Sequence, residues 1–203
     1  MHASDLVGLI ESTEAIRSLR VHVEAAKLTS VLVVGIETGA RVVGLPLAEA
    51  SARAGLRSIL IDADFRSIKA HAPIGETAIR PGLADWLTDD TITDVPLQIA
   101  TIPNLSLVGP GSSHADPGDV LGRPRLAHLV THLAIHADRL VAVTAPLATS
   151  ADALQMARFV DGIVLVVTPG HSTRVAAIQA RDALQAAGGR VLGVVLSEFA
   201  SVV

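Results

Sequence analysis

The sequence contains no cysteine and no tyrosine, and its Trp and Phe residues number only one and three. The absence of cysteine excludes disulfides and thiolate metal sites and suits a reducing compartment. Hydrophobic residues still make up half of the 203 positions, so a core must be built from Val, Leu, Ile and Ala. A chain of this length fits one domain, and we predict a single α/β domain over residues 1–203.

Long apolar runs and an excess of basic charge are also missing. No run reaches the length of about 18 residues that spans a bilayer. The first residues carry Asp5, Glu11 and Glu14 where a signal peptide has basic and then apolar residues. The net charge of −4 gives no electrostatic footprint for nucleic acid. We expect a cytoplasmic protein that associates with a membrane only through a partner.

Short aliphatic runs alternate along the chain with stretches that have helical spacing. The predicted strands are 30–35, 58–64, 104–111 (which runs into a Gly/Pro loop), 139–146, 162–170 and 191–197. The predicted helices are 5–27 (one or two helices), 41–54, 82–87, 124–137, 150–159 and 173–187. Strands and helices that alternate at this spacing favour βαβ crossovers. The sequence therefore predicts a doubly wound α/β fold with a mainly parallel sheet.

Ligands of such sheets bind beyond the carboxyl ends of the strands, here after Val34, Ile61 and Val143. The motifs around these loops and elsewhere are EAIRSLR (14–20), SVLVVGIETGAR (30–41), ILIDADFR (59–66), PGLADWL (81–87), IPNLSLVGPG (102–111), DVLGRPRLAHLV (119–130), DGIVLVVTPG (161–170) and RVLGVVLS (190–197). Taken in order, they resemble the cytoplasmic domain of bacterial tyrosine kinases, in the P-loop group that includes the ParA and MinD ATPases. The resemblance implies a P-loop NTPase type of fold, with an N-terminal assembly region at 1–27.

A phosphate-binding loop needs glycines, a Lys for the β and γ phosphates, and a Ser or Thr hydroxyl for Mg²⁺. Aligned with the family's loop, GIETGAR keeps Gly35 and Gly39 but has Ala40 at the Lys position and Arg41 at the hydroxyl position. The favoured interpretation is a degenerate phosphate loop that acts as a plain strand-to-helix turn. The alternative is an atypical phosphate loop that uses Arg41.

The other nucleotide-contacting positions that the resemblance implies are also changed. Val143 stands where relatives have a metal-associated Asp, and Ser197 where they have an Asn that contacts adenine. Asp62, Asp64 and Arg66 match the family's D-x-D-x-R motif, whose carboxylates help to organise Mg²⁺ and the attacking hydroxyl in active relatives. We interpret all three residues here as vestigial. The two carboxylates are expected to pair with Arg66, cap a loop or lie at a subunit contact.

The tyrosine count bears on activity. Active relatives transfer phosphate to a tyrosine cluster in their own tail, and this sequence has no tyrosine. The resemblance, with these losses, implies a non-catalytic, pseudokinase-like member without a bound cofactor. ATP and Mg²⁺ enter only under one alternative, a divergent kinase or ATPase that uses Arg41, Asp62 and Asp64. The other alternative is a ParA- or MinD-like positioning factor whose switch is lost, so that only partner binding is left.

The motif EAIRSLR places Glu14, Arg17 and Arg20 three residues apart, which predicts a charged stripe on a helix. Taken alone, such a stripe is typical of a solvated helix face. In the family it packs against a neighbouring subunit, so the resemblance implies a homo-oligomer. It also implies an inner-membrane partner, a polysaccharide chain-length regulator or co-polymerase, and a role in making and exporting surface polysaccharide.

Two further patterns carry weaker predictions. His128, His132 and His136 recur every four residues, a spacing that can chelate zinc, although a solvent-facing stripe is the favoured interpretation. Trp86 is predicted to anchor a core or an interface.

The glycines of GIETGAR, with Asp62 after the next strand, also permit a dinucleotide-binding interpretation. The further glycine that would seat a pyrophosphate is absent, and so is a catalytic tyrosine of the short-chain dehydrogenase type.

Overall fold

The computed structural model describes residues 7–9, 13–37, 40–66, 81–112 and 116–197. The strands are β1 (Val7–Leu9), β2 (Ser30–Gly35), β3 (Ser58–Ala63), β4 (Gln98–Ile99), β5 (Leu105–Val108), β6 (Arg139–Thr144), β7 (Gly162–Val167) and β8 (Val191–Leu196). The helices are α1 (Thr13–Ala25), α2 (Arg41–Arg53), α3 (Leu83–Thr88), α4 (Pro117–Val120), α5 (Leu126–Ala134), α6 (Asp152–Met156) with a 3-10 turn at Ala157–Phe159, and α7 (Arg174–Ala186).

The strands form one sheet in the order β1-β8-β7-β2-β6-β3-β5-β4. All neighbouring pairs are parallel except β4 and β5, which are antiparallel. The prediction of a doubly wound, mainly parallel α/β fold is confirmed. The prediction of helix throughout residues 5–27 is wrong at its start, because residues 7–9 pair with β8 at the sheet edge. A strand of three residues is too short to show the hydrophobic pattern by which longer strands are recognised in a sequence.

Both faces of the sheet are covered by helices. Helices α1 and α2 pack on one face, and α3 to α7 pack on the other. Every residue of β2, β3, β6 and β7 is buried, which explains why these strands are almost continuous aliphatic runs. The described helices reach at most 13 residues, and among them none is long and apolar enough to cross a bilayer.

Close backbone approaches make up for the scarcity of large aromatic side chains. A Cβ at Gly44 in α2 would lie 2.3 Å from Val143 Cγ1, so this helix packs directly on β6. Gly82 meets the loop after β5 as tightly, because a Cβ there would lie 2.3 Å from the Gly111 nitrogen. Asp85 accepts hydrogen bonds from the backbone N–H of Gly82 and Ser112. The motifs PGLADWL and IPNLSLVGPG therefore form one packed junction.

Trp86 is a core residue, with 2% of its surface exposed. The Arg125 guanidinium lies 4.2 Å from the centre of its ring and donates to the backbone carbonyls of Trp86 and Asp89. A cation at the carboxyl end of α3 is favoured by the exposed carbonyls of the helix and by the face of the ring. Arg125 thus holds α3 and the segment after it against α5.

Candidate functional site

The carboxyl ends of β3, β6, β2 and β7 lie side by side at one edge of the sheet. The loops that follow these strands contain most of the residues that the sequence predicts for a nucleotide site. Parallel topology brings them together because every such strand ends at the same edge.

Arg41, the first residue of α2, lies across the end of β3. Its Nε donates to Asp62 Oδ2 at 2.8 Å and its Nη2 donates to Asp62 Oδ1 at 2.9 Å, a bidentate fork. Nη2 also donates to the Asp64 carbonyl oxygen at 3.3 Å, and Nη1 lies 3.4 Å from Asp64 Oδ2. The guanidinium therefore contacts oxygens of both aspartates.

This cluster is largely shielded from water. The exposed fractions of the side chains are 18% for Arg41, 10% for Asp62 and 3% for Asp64. Burial strengthens the attraction between opposite charges and makes either charge costly when it is left alone. Arg41 thus supplies the positive charge at the carboxylates that relatives are expected to use for metal.

The two aspartates also cap the turn that follows β3. The backbone N–H of Asp64 donates to Asp62 Oδ1 at 3.0 Å, and the N–H of Arg66 donates to Asp64 Oδ1 at 3.1 Å. Carboxylates that accept from the backbone two residues ahead stabilise tight turns. In this way the D-x-D-x-R motif fixes its own backbone.

The expectation that Arg66 pairs with these carboxylates through its side chain is corrected. Its Nε lies 3.6 Å from Asp152 Oδ2, and its Nη2 donates to Ser150 Oγ at 3.5 Å. Arg41 reaches Asp62 and Asp64 from α2, whereas the guanidinium of Arg66 lies on the side of α6. The loop-capping role expected of the aspartates is present.

Asp152 is a site residue that the sequence analysis missed. It begins α6 and is only 1% exposed, although it is a carboxylate. Its backbone N–H donates to Ser150 Oγ at 3.0 Å. The only available signal was an acidic residue near the start of a helix that follows a strand ending at this edge.

The first glycine turn is tied to two neighbouring loops. The carbonyl oxygens of Gly35 and Ile36 accept from the N–H groups of Leu147 and Ala148, at 3.0 and 2.9 Å, in the loop after β6. The Glu37 carboxylate accepts from the Ser172 hydroxyl, in the loop after β7. Glu37, which the sequence analysis also missed, therefore brings a carboxylate to a turn that would have to hold phosphates.

The positions that would complete a phosphate and metal site are apolar or small. Ala40 is completely buried before α2, and its carbonyl accepts from the Val43 and Gly44 N–H groups. Gly39 lies outside the described residues. Val143 is also completely buried, next to Asp62 in the sheet and against Gly44. The Val143 side chain offers no oxygen that could hold a metal-bound water.

Ser197 follows β8, where the resemblance expects a residue that contacts adenine. It is 1% exposed and its N–H donates to the Val167 carbonyl at 2.9 Å. Its hydroxyl has no hydrogen-bond partner among the residues that the structure describes. The short side chain is thus enclosed by the protein.

The charged residues of α1 divide into two pairs. Arg17 Nη1 lies 3.3 Å from Glu14 Oε2, and both side chains are mostly exposed. Arg20 pairs instead with Glu24 and is only 21% exposed. The stripe of Glu14, Arg17 and Arg20 stays a prediction as an assembly surface; within it Glu14 and Arg17 form an exposed pair, whereas the side chain of Arg20 turns toward Glu24 and is partly buried.

His128 and His132 lie on α5 opposite its buried face, as predicted, and His136 follows the end of the helix. His128 and His136 are exposed, and the His132 ring is centred 6.3 Å from the Trp86 ring. Within the described ranges no group of three or more His, Cys, Asp or Glu side chains could hold a metal ion.

Comparison with known proteins finds tyrosine-protein kinases that are similar in sequence to this chain. No protein-family model matches the chain. Tyrosine-protein kinase CpsD of Streptococcus agalactiae is 26% identical over 152 residues, which cover 75% of this chain and 66% of CpsD. This chain thus spans slightly less than two thirds of that relative.

Solved structures show the same fold. The kinase domain of the Escherichia coli tyrosine kinase ETK superposes with a TM-score of 0.81 at 24% identity, covering 94% of this chain and 78% of that domain. The cell-division ATPase MinD of Pyrococcus furiosus gives a TM-score of 0.64 at 20% identity, covering 83% and 71%. The predicted resemblance and the P-loop type of fold are confirmed: this chain is a relative of the bacterial tyrosine-protein kinases and has the fold of their kinase domains.

Proposed function

We propose that this protein is a non-catalytic scaffold or regulator of surface-polysaccharide synthesis and export. One observation carries the proposal: the Arg41 guanidinium forms a bidentate pair with Asp62 and also contacts Asp64. The chain's own cation neutralises the carboxylates that an active relative needs for Mg²⁺. A metal would have to displace a tethered, permanently charged group.

The remaining chemistry supports the same conclusion. Phosphoryl transfer depends on positioning and on electrostatic stabilisation of the phosphates. Ala40 offers no charge for them, and the buried Val143 offers no carboxylate. Glu37 places a negative charge in the same turn, where it repels a triphosphate.

The proposed mode of action is self-assembly together with docking on a membrane partner. Glu14 and Arg17 expose both signs of charge on α1, which suits pairing with a second copy. The proposed partner is an inner-membrane polysaccharide chain-length regulator or co-polymerase, on whose cytoplasmic side the protein would sit. Support for this partner and pathway comes from the family resemblance.

Calorimetry with ATP and Mg²⁺ tests the loss of nucleotide binding. We expect no binding heat at micromolar protein, with an ATP-binding relative such as the ETK kinase domain measured in parallel. Micromolar affinity would instead favour the second candidate, a divergent kinase or ATPase that uses Arg41, Asp62 and Asp64. That candidate is favoured by the tyrosine-protein kinase names of the relatives.

Light scattering tests assembly. We expect Glu14→Ala with Arg17→Ala to lower the measured mass, because these side chains face solvent in the single chain. Arg20→Ala is the matched control and should change the mass less, because Arg20 is already paired with Glu24. A parent protein that is monomeric at the same concentration contradicts the assembly proposal.

Co-purification tests the partner. When the protein is expressed with a polysaccharide chain-length regulator encoded beside it, we expect the two to elute together after detergent extraction. Failure to associate with the regulator, combined with recovery on a cargo or cell-division protein, would favour a positioning factor of the ParA or MinD type. The MinD-like fold makes that outcome a meaningful alternative.

A further inference from the structure

The oxygens around the Arg41 guanidinium form an environment of the kind that hard cations prefer. Both carboxylate oxygens of Asp62, the Asp64 carbonyl and Asp64 Oδ2 all lie within 3.4 Å of one of its nitrogens. Carboxylate and carbonyl oxygens are also the usual ligands of divalent cations. Arg41 therefore makes, from within the chain, contacts that a bound cation would make.

These contacts continue around the edge of the sheet. Asp62 and Asp64 hold the turn after β3, which ends at Arg66. The Arg66 side chain contacts Ser150 and Asp152 at the start of α6. The loop that leads to α6 donates back to the first glycine turn through Leu147 and Ala148. A circuit of contacts thus links the loops after β2, β3 and β6, and within it Arg41 is a cation that contacts both Asp62 and Asp64.

We infer that Arg41 is a built-in counter-cation that keeps this edge in one arrangement without metal or nucleotide. The stabilisation that a dissociable cation gives to a fold depends on its concentration, because it grows with the logarithm of one plus the ratio of that concentration to the dissociation constant. A guanidinium attached to the chain is always present and always charged. The loops that would sense a nucleotide are thereby fixed, and the surface they offer to partners does not change with nucleotide supply. This inference rests on the proposed non-catalytic function, whose regulation it describes.

The test is thermal unfolding with metal alone and no nucleotide. The wild type, Arg41→Ser, and Arg41→Ser with Asp62→Asn are each melted in EDTA and in millimolar MnCl₂, with ionic strength matched by NaCl. We expect the wild-type Tm to be the same in both buffers. Arg41→Ser should lose on the order of 10 °C in EDTA, because it removes a counter-charge that contacts two buried carboxylates.

Manganese should restore a substantial part of the Tm lost by Arg41→Ser, because the ion can take the place of the guanidinium. The double variant should be less destabilised than Arg41→Ser and should not respond to manganese, since one carboxylate is gone. A wild type that gains as much from manganese as Arg41→Ser overturns the inference. So does an Arg41→Ser variant that folds but shows neither the loss nor the recovery.

A second variant covers the case in which Arg41→Ser cannot be obtained folded. Arg41→Lys keeps the charge without the fork, so it should retain more of the wild-type Tm than the neutral Arg41→Gln. Equal Tm values for the Lys and Gln variants overturn the inference. Because no nucleotide is present, these outcomes are separate from ATP calorimetry on the wild type, which tests the proposed function itself.

Discussion

The strands of the sheet end at its carboxyl edge and begin at its amino edge, and at each of these an arginine binds an aspartate through two hydrogen bonds. At the carboxyl edge, Arg41 binds Asp62 with distances of 2.8 and 2.9 Å. At the amino edge, Arg57 binds Asp138 with distances of 3.1 and 2.7 Å. The geometry is nearly the same, but the side chains of the second pair are 58% and 40% exposed, against 18% and 10% for the first.

The comparison shows that burial, more than geometry, decides what such a pair does. Around Arg57 and Asp138, water screens the charges and solvates either partner when the other is removed. The side chains of Arg41, Asp62 and Asp64 are mostly buried, so removal of one charge takes a counter-charge from a poorly solvated partner. The amino-edge pair is a surface contact, whereas the carboxyl-edge pair fixes the state of the candidate site.

The largest effect is expected from Arg41→Ala. It should lower the free energy of unfolding by about 3–5 kcal/mol, since Asp62 and Asp64 would remain buried after losing the guanidinium that contacts both. Urea unfolding followed by circular dichroism gives this value, and Arg57→Ala is the matched control at the other edge. A loss for Arg41→Ala no larger than for Arg57→Ala would remove the distinction between the two edges.

A smaller but more specific effect is expected in a double-mutant cycle. Arg41→Ala combined with Asp62→Asn should cost less than the sum of the single changes, with a coupling energy of about 1–3 kcal/mol. Contacting charges couple because each single variant already removes the interaction between Arg41 and Asp62, so the second change cannot remove it again. The same urea measurements supply the cycle. Additive losses would show that the fork contributes no direct interaction.

The smallest effect concerns pH and salt at the amino edge. The Arg57 hydrogen bonds lower the pKa of Asp138 to about 2, from an ordinary value of about 3.9. A lowered pKa stabilises the folded state where the carboxylate is ionised, so the contribution is present above about pH 4 and is lost as the pH falls toward 2. The urea midpoints of the wild type and Arg57→Ala should therefore converge over that range.

Added salt should also bring the Arg57→Ala and wild-type midpoints together at neutral pH, because exposed charges are screened. The difference between the wild type and Arg41→Ala should respond far less. If the difference in urea midpoint between the wild type and Arg57→Ala does not respond to salt, the pair of Arg57 and Asp138 is shielded from solvent, contrary to this account.

The sequence was a good guide to the fold where burial imposes a simple pattern. The runs SVLVVG and SILIDA are strands because both faces are covered, which demands continuous aliphatic side chains. The edge strands β1 and β4 were missed, since they are two or three residues long and are defined by pairing alone. Nothing in their own residues distinguishes them from a loop or a helix start.

The sequence predicted which residues belong to the site better than it predicted the contacts between them. The alignment placed Arg41, Asp62 and Asp64 at one edge, but it did not show that Arg41 binds both aspartates. That contact joins residues 21 positions apart and depends on how α2 packs over the end of β3. Asp152 and Glu37 were missed for the same reason, because their partners Arg66 and Ser172 are distant in sequence.

The most direct test of the central claim is a crystal structure of the wild-type protein grown with Mg²⁺ and a non-hydrolysable ATP analogue. We predict that Arg41 will be found on Asp62 and Asp64 and that the first glycine turn will hold no triphosphate. A structure in which Arg41 has moved away, with Mg²⁺ on the two aspartates and the triphosphate bound in the turn, would contradict the account.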